Sequence, residues 1–189
     1  MLLLLAVSLL GTVTCQTCET GWSVQGLRAS GFWCVKVFLG TYTQPQAQAQ
    51  CEAVGATLSG IQSANDAQVF QSLGLAALGG QSGSFWIGAR RRAACQTQRI
   101  TADCTAQNSF EWTDDTVTGT DGFVWNDKQP DNSDLNSGCA VLLASGPPVQ
   151  WGNGMWAGAK LDDHVCDFVD KTPANPRRIR GYICGKRSN

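Results

Sequence analysis

The stretch Gln129-Pro130-Asp131-Asn132 runs up to Cys139, and the stretch Leu161-Asp162-Asp163 runs up to Cys166. If a disulfide joins these two cysteines, the oxygen-bearing side chains of both stretches come together. They are Gln129, Asp131, Asp162 and Asp163, and neither stretch contains a Lys or an Arg. Ca2+ requires hard oxygen donors of this kind, because it takes about six to eight oxygen ligands. The two stretches therefore predict a Ca2+ site, provided that they converge.

The size and charge of the chain exclude several classes of protein. Its 189 residues suit a single domain. The 14 basic and 15 acidic residues nearly cancel, for a formal net charge of −1. Such a balance gives no general attraction to nucleic acid or to anionic membranes, so no nucleic-acid partner is expected.

An apolar run at the amino terminus, LLLLAVSLL at residues 2–10, is too short to span a bilayer. It is typical of the apolar core of a secretory signal peptide, although the usual Lys or Arg before it is missing. Cleavage after Cys15 would give a signal peptide at residues 1–15 and a single domain at residues 16–189. No later apolar stretch approaches membrane length, so we expect a secreted, extracellular protein without membrane insertion.

The cysteine count agrees with export. Nine cysteines are present, and the loss of Cys15 leaves an even eight. Eight cysteines can pair in 105 ways, so the count alone fixes no connectivity. Together with an export signal, it indicates an oxidising compartment and four disulfides. The single histidine, His164, argues against a Cys/His zinc site.

The order of predicted elements indicates an α+β domain. Residues 32–38 form a β-rich run, and residues 44–54 combine helix formers with an early Pro and a following Gly. This Gln/Ala-rich segment could instead be a low-complexity linker, but its length and end signals favour a helix. Ser63 and Asp66 resemble a capping box before a second amphipathic helix. Short strands follow, with a long loop region between residues 114 and 138.

Several short segments occur in an order that carries a resemblance. They are Cys51 in the first helix, Trp86-Ile87-Gly88-Ala89, Phe110-Glu111-Trp112-Thr113, Val124-Trp125-Asn126, the two acidic stretches with their cysteines, and Tyr182-Ile183-Cys184. On these residues the chain resembles the C-type lectin-like domain, particularly its small secreted nematode versions, over about residues 17–186. The resemblance implies two helices packed on small antiparallel sheets, with a long loop that carries the binding surface.

The resemblance also implies the disulfides. Cys51–Cys184 would join the first helix to the last strand, and Cys139–Cys166 would brace the long loop. The remaining expected pairs are Cys18–Cys34 and Cys95–Cys104.

By the same resemblance, Gln129 and Asp131 ligate one Ca2+ from either side of Pro130, which follows a cis peptide bond in the family. Asp162 and Asp163 complete the site, and sugar hydroxyls then contact the ion and the same four side chains. The Gln-Pro-Asp order is the family's galactose and N-acetylgalactosamine type. The expected function is therefore Ca2+-dependent carbohydrate binding, with innate immune recognition, adhesion or mucus binding as settings that the sequence does not separate.

Three departures from the family pattern leave an alternative open. Ser137 stands where an acidic ligand is usual, with Asp134 or Asn136 as substitutes. Leu161 replaces a Trp, and Asp162 replaces an Asn. Residues 133–138 contain no aromatic residue on which a sugar could stack, and the nearest candidates are Trp151 and Trp156. The alternative is a calcium-independent interaction module that uses the same face for a protein or another surface.

The remaining charged features are interpreted as structural. The runs Arg90-Arg91-Arg92 and Arg177-Arg178-Ile179-Arg180 are expected to be solvated, with a sulfated glycan as the alternative target. His164 is expected to face solvent in a loop. No nucleophile motif accompanies it, so the chain is not predicted to be an enzyme. Because single lectin sites are weak, an oligomer or a clustered ligand would be needed for avidity.

Overall fold

The computed structural model describes residues 17–29 and 31–189, so the predicted signal peptide lies outside the described residues. Within them, no helix combines the length and the apolar character that a bilayer-spanning segment needs.

The described chain has two α-helices and ten strands. The helices are α1, Gln44–Glu52, and α2, Ala64–Ala77. The strands are β1 Ser23–Arg28, β2 Gly31–Leu39, β3 Thr57–Leu58, β4 Gly83–Arg91, β5 Phe110–Trp112, β6 Cys139–Ala144, β7 Val149–Trp151, β8 Gly154–Trp156, β9 Lys160–His164 and β10 Ile179–Arg187. A single 3-10 turn spans Ala93–Cys95. This composition confirms the predicted α+β class.

Eight strands are joined in one hydrogen-bonded network with the order β1-β2-β10-β4-β6-β9. The short strand β3 pairs with β10, and β5 pairs with β4. All these pairings are antiparallel except β10 with β4, which is parallel. Strands β7 and β8 form a separate hairpin beside the network. The central strands β4 and β6 are buried along most of their length.

Side-chain caps fix where both helices begin. Ser63 accepts a hydrogen bond from the Asp66 amide, as the sequence predicts. The Asp66 carboxylate in turn accepts from the Gln62 amide and from the Ser63 hydroxyl. The helix α1 has a complete capping box, in which Thr43 and Gln46 exchange side-chain and backbone hydrogen bonds. Such caps satisfy amide groups that the first turn leaves free.

The main core lies between α2 and the sheet. Phe70 of α2 packs in a buried cluster with Phe85, Ile87 and Leu142 of the central strands. A second cluster surrounds Trp86 on the opposite face, under α1. Adjacent residues of β4 therefore point to opposite cores, as the pleat of a strand requires.

Four disulfides cross-link the described part of the chain. They are Cys18–Cys34, Cys51–Cys184, Cys95–Cys104 and Cys139–Cys166, so the pairing implied by the resemblance is confirmed.

The long loop region between β5 and β6 is anchored at both ends. At its start, Asp114 lies 2.7 Å from the guanidinium of Arg28, and both side chains are buried. Further along, a bridge joins Trp125 to Leu161 of β9. The Leu161 amide donates to the Val124 carbonyl, and the Asn126 amide donates to Leu161. These contacts bring the predicted ligand stretch against β9.

Candidate functional site

The candidate site lies where the long loop meets β6 and β9. In the antiparallel register, Asp163 faces Ala140 and Asp162 faces Val141, one and two residues beyond Cys139. The Cys139–Cys166 disulfide closes the ends of both strands. The last residues of the long loop and the acidic end of β9 are therefore neighbours.

All four predicted ligand residues line one cavity of about 260 Å3. The peptide bond before Pro130 is cis. The other lining residues are Ser133, Asp134, Ser137, Trp156, His164, Val165 and Arg177. The convergence on which the sequence argument depends is thus present, whereas the role of the four residues as ligands stays a prediction.

The carboxylate of Asp163 accepts three hydrogen bonds from groups of the protein. Its Oδ1 accepts from the Asp131 amide at 3.0 Å, and its Oδ2 accepts from the Asn132 amide at 2.9 Å. The same Oδ2 lies 2.5 Å from Nη2 of Arg91, and neither side chain is exposed. Burial raises the pKa of Asp163, and the guanidinium of Arg91 opposes that rise.

Arg91 enters the site from the end of β4. Its Nε donates to the Ser137 carbonyl at 2.8 Å, and its backbone amide donates to the Gly138 carbonyl at 2.9 Å. The guanidinium carbon lies 4.5 Å from the ring centre of Phe110. Burial lowers the pKa of Arg91, and the charge of Asp163 acts against that decrease. Arg91 therefore places a positive charge against the carboxylate of Asp163, one of the four predicted ligands.

Asn132 fixes the middle of the loop. It is fully buried, and its Nδ2 donates to the carbonyls of Gln96 and Gln98 at 3.0 and 2.8 Å. Its Oδ1 accepts from the Ser137 amide at 2.9 Å. The amide side chain therefore joins the long loop to the segment closed by the Cys95–Cys104 disulfide.

A second guanidinium, that of Arg177, lines the cavity. It forms an ion pair with Asp162, and its central carbon lies 3.2 Å from the ring centre of Trp156. Both members of the ion pair are mostly buried, with side chains 14% and 12% exposed. Burial raises the pKa of Asp162 to about 7, and Arg177 limits that rise. Because a cation over an aromatic face is attractive, Arg177 occupies the position where Trp156 could stack with a ligand.

These contacts correct the expectation that both basic runs are solvated. No Lys or Arg lies within the two stretches, but Arg91 and Arg177 contact their carboxylates. The basic runs are therefore not uniformly solvated. Arg90 and Arg92 are exposed, whereas Arg91 is buried and Arg177 is partly buried.

The signal for Arg91 was present in the alternation of β4. Phe85, Ile87 and Ala89 all belong to the main core, and Arg91 is the next residue on that face. Arg90 points to the opposite side and is exposed. An arginine that continues a core face must find a buried partner, and Asp163 is that partner.

The donor set does not fit Ca2+ as it stands. An ion at this place would have to share Asp163 with two backbone amides and a guanidinium, and share Asp162 with Arg177. Within the described residues, no three His, Cys, Asp or Glu side chains are grouped so that they could hold a metal ion. Two arginines thus offset the repulsion of these carboxylates, for which the sequence predicts a bound cation.

His164 differs from its expected solvent-facing position. It is the last residue of β9, half-buried, with ring centres of Trp86 and Phe168 at 6.1 and 4.1 Å. Burial lowers the pKa of His164 to about 4, so the ring is neutral at pH 7. A neutral, packed histidine serves as an aromatic wall of the cavity.

A larger cavity of about 650 Å3 lies elsewhere, beside the end of β10. Its buried carboxylate, Asp114, is already paired with Arg28. The four ligand residues predicted from the sequence line the smaller cavity and not this one.

Comparison with known proteins identifies the family. A family profile described as C-type lectin domain-containing protein 141/158 matches residues 27–187. No protein among curated proteins matches the chain.

Solved structures share the fold at low identity. A calcium-independent type II antifreeze protein is 19% identical, with a TM-score of 0.60 over 94% of this chain and 99% of that one. The cow C-type carbohydrate-recognition domain of CD23, solved in the presence of a GlcNAc2Man3 oligosaccharide, is 18% identical with a TM-score of 0.59, over 93% of this chain and 99% of that one. The carbohydrate-recognition domain of the mouse scavenger receptor C-type lectin is 19% identical with a TM-score of 0.57, over 92% and 100%.

Proposed function

The chain belongs to the C-type lectin domain family, and from this premise we propose that it is a carbohydrate-binding module whose site is the cavity lined by Gln129, Asp131, Asp162 and Trp156. The observation that carries the proposal is the convergence of these side chains on one cavity of about 260 Å3. We assign no catalytic nucleophile, because the family is one of binding proteins.

The lining supplies what a sugar needs. Gln129 offers an amide donor and an acceptor, and Asp131 offers acceptors, so both can pair with the hydroxyl groups of one ring. Trp156 offers an aromatic face for the apolar side of the sugar. Arg177 covers that face and bonds to Asp162, so a ligand that stacks on Trp156 must move the guanidinium aside.

We propose that hydroxyl groups bond directly to these side chains, without a bridging ion. The two arginines support this version, because each already neutralises one of the aspartates that an ion would need. Dependence on Ca2+, which the sequence predicts, therefore stays a prediction that the experiment below tests. A preference for galactose or N-acetylgalactosamine rests on the Gln129-Pro130-Asp131 order and is proposed on that ground alone.

A second candidate function is binding of a protein partner on the same face. Leu135 in the long loop and Met155 in β8 are large apolar residues with 46% and 58% of their surface exposed. Exposed apolar side chains around a binding face are common in protein interfaces. This candidate corresponds to the calcium-independent interaction module.

Export belongs to the same proposal. Four disulfides in a domain of this size are typical of proteins that fold in an oxidising compartment. We therefore propose a mature domain at residues 16–189 that acts outside the cell, with oligomers or clustered glycans supplying avidity.

A glycan array probed with the purified, disulfide-intact domain tests the proposal. Binding to galactose-terminated glycans should be retained in EDTA and be lost in Asp131→Ala. The exposed Asp121→Ala variant is the matched control and should bind like the wild type. If EDTA abolishes binding, the hypothesis of a Ca2+-dependent lectin is favoured instead. An array without any bound glycan would favour the protein-binding candidate.

A further inference from the structure

We propose that Arg91 is a resident cation that holds the long loop in its binding shape, so that the loop folds without a metal ion. Arg91 plays this part whichever ligand the site binds.

The first step is geometric. Through Asp163, whose oxygens receive the amides of Asp131 and Asn132, the Arg91 side chain fixes the first part of the loop to β9. Through the carbonyl of Ser137, it fixes the last part of the loop to β4. A single guanidinium thus joins two loop segments to two strands, which is the connection that a metal with ligands from both stretches would make.

The second step is electrostatic. Asp163 has no exposed side-chain surface, and it lies beside Asp162 and near Asp131. A buried carboxylate without a countercharge is unstable, and neighbouring carboxylates make it more so. Arg91 supplies that countercharge from within the chain, and its stacking on Phe110 holds the guanidinium in place.

The third step concerns competition with a metal. A divalent cation at Asp163 would lie close to the positive guanidinium of Arg91, and like charges repel. Arg91 has no exposed side-chain surface, so it cannot swing into solvent to make room without unpacking from Phe110. Arg91 therefore replaces the ion rather than assisting it.

Hydrogen–deuterium exchange of residues 129–138, combined with thermal unfolding, tests the proposal on the intact domain. In the wild type, neither loop protection nor the unfolding midpoint should change between EDTA and millimolar Ca2+. Arg91→Met should increase loop exchange at least tenfold and lower the midpoint by about 10 °C, because it leaves a buried carboxylate unpaired. The exposed neighbour Arg90→Met is the matched control, with wild-type exchange expected.

Two further variants keep the test decisive if Arg91→Met does not fold. Arg91→Lys keeps the charge but loses the forked geometry, so we expect it to fold with faster exchange in the loop alone. The Arg91→Met, Asp163→Asn double variant removes both charges and should recover part of the lost midpoint. Unchanged loop exchange in Arg91→Lys, or a wild-type loop that gains protection on addition of Ca2+, would overturn the proposal. Neither readout requires a glycan, so a failure of carbohydrate binding leaves this test unaffected.

Discussion

Arg177→Ala is predicted to strengthen carbohydrate binding, because the wild-type guanidinium occupies the face of Trp156 and the carboxylate of Asp162. A sugar that stacks on Trp156 must displace Arg177 first. The free energy that holds Arg177 in place is therefore subtracted from the binding free energy of the wild type.

The structure allows that free energy to be bounded. The ion pair is mostly buried, with side chains 14% and 12% exposed. The desolvation of both groups offsets much of their attraction, so its net value is taken as about 1 kcal/mol. The contact with Trp156 adds about 0.5–1 kcal/mol, as expected for a partly solvated cation–π pair. The sum, about 1.5–2 kcal/mol, corresponds to a gain in affinity of about 10- to 30-fold.

Isothermal titration with N-acetylgalactosamine in EDTA measures the effect, with the exposed Arg187→Ala as the matched control. The control should bind like the wild type, and Arg177→Ala should bind more tightly. If Arg177→Ala instead weakens binding, Arg177 donates to the ligand and the reasoning is refuted. Trp156→Ala should weaken binding in either case.

Three other predictions concern stability. In the native state the pKa of Asp162 is raised to about 7. Protonation of Asp162 therefore contributes up to about 4 kcal/mol to the free energy of unfolding at low pH, and this contribution is lost as pH rises from about 4 to 7. Asp162→Asn should remove this pH dependence. The pKa of His164 is lowered to about 4, so its effect on the free energy of unfolding increases with pH between about 4 and 6.5, opposite to that of Asp162. With the effect of Asp162 removed, urea unfolding of Asp162→Asn should show stability that increases with pH in that window. Replacing Cys139 and Cys166 by Ser should lower the free energy of unfolding by about 3–4 kcal/mol, from the loop-closure relation for a separation of 27 residues. Guanidinium unfolding measures the loss. Asp114→Ala should cost about 3–5 kcal/mol, because it leaves the buried Arg28 unpaired, and a loss below about 1 kcal/mol would argue against that ion pair.

The sequence predicts the fold well because its signals are local or covalent. Capping residues and the short strand motifs specify the helices and strands locally. The disulfide pairing follows from the family resemblance, because the cysteine count alone leaves 105 pairings open. The pairing of Cys95 with Cys104 and the position of α2 are examples of predictions that the structure confirms.

The site is predicted only in part, because its charge balance depends on residues far away in the chain. Asp163 and Arg91 are 72 residues apart, and only the folding of β4 beside β6 and β9 brings them together. Arg177 reaches Asp162 from the turn before β10, which no periodic pattern describes. The four oxygen-bearing side chains could therefore be predicted to converge, whereas the cations that meet them could not.

Titration of Ca2+ into the metal-free wild-type domain, followed by calorimetry, tests most directly the claim that arginines replace a metal in this site. The account predicts no saturable heat for the wild type, with Asp131→Ala giving the same result. Saturable uptake of one ion by the wild type, lost in Asp131→Ala, would contradict it.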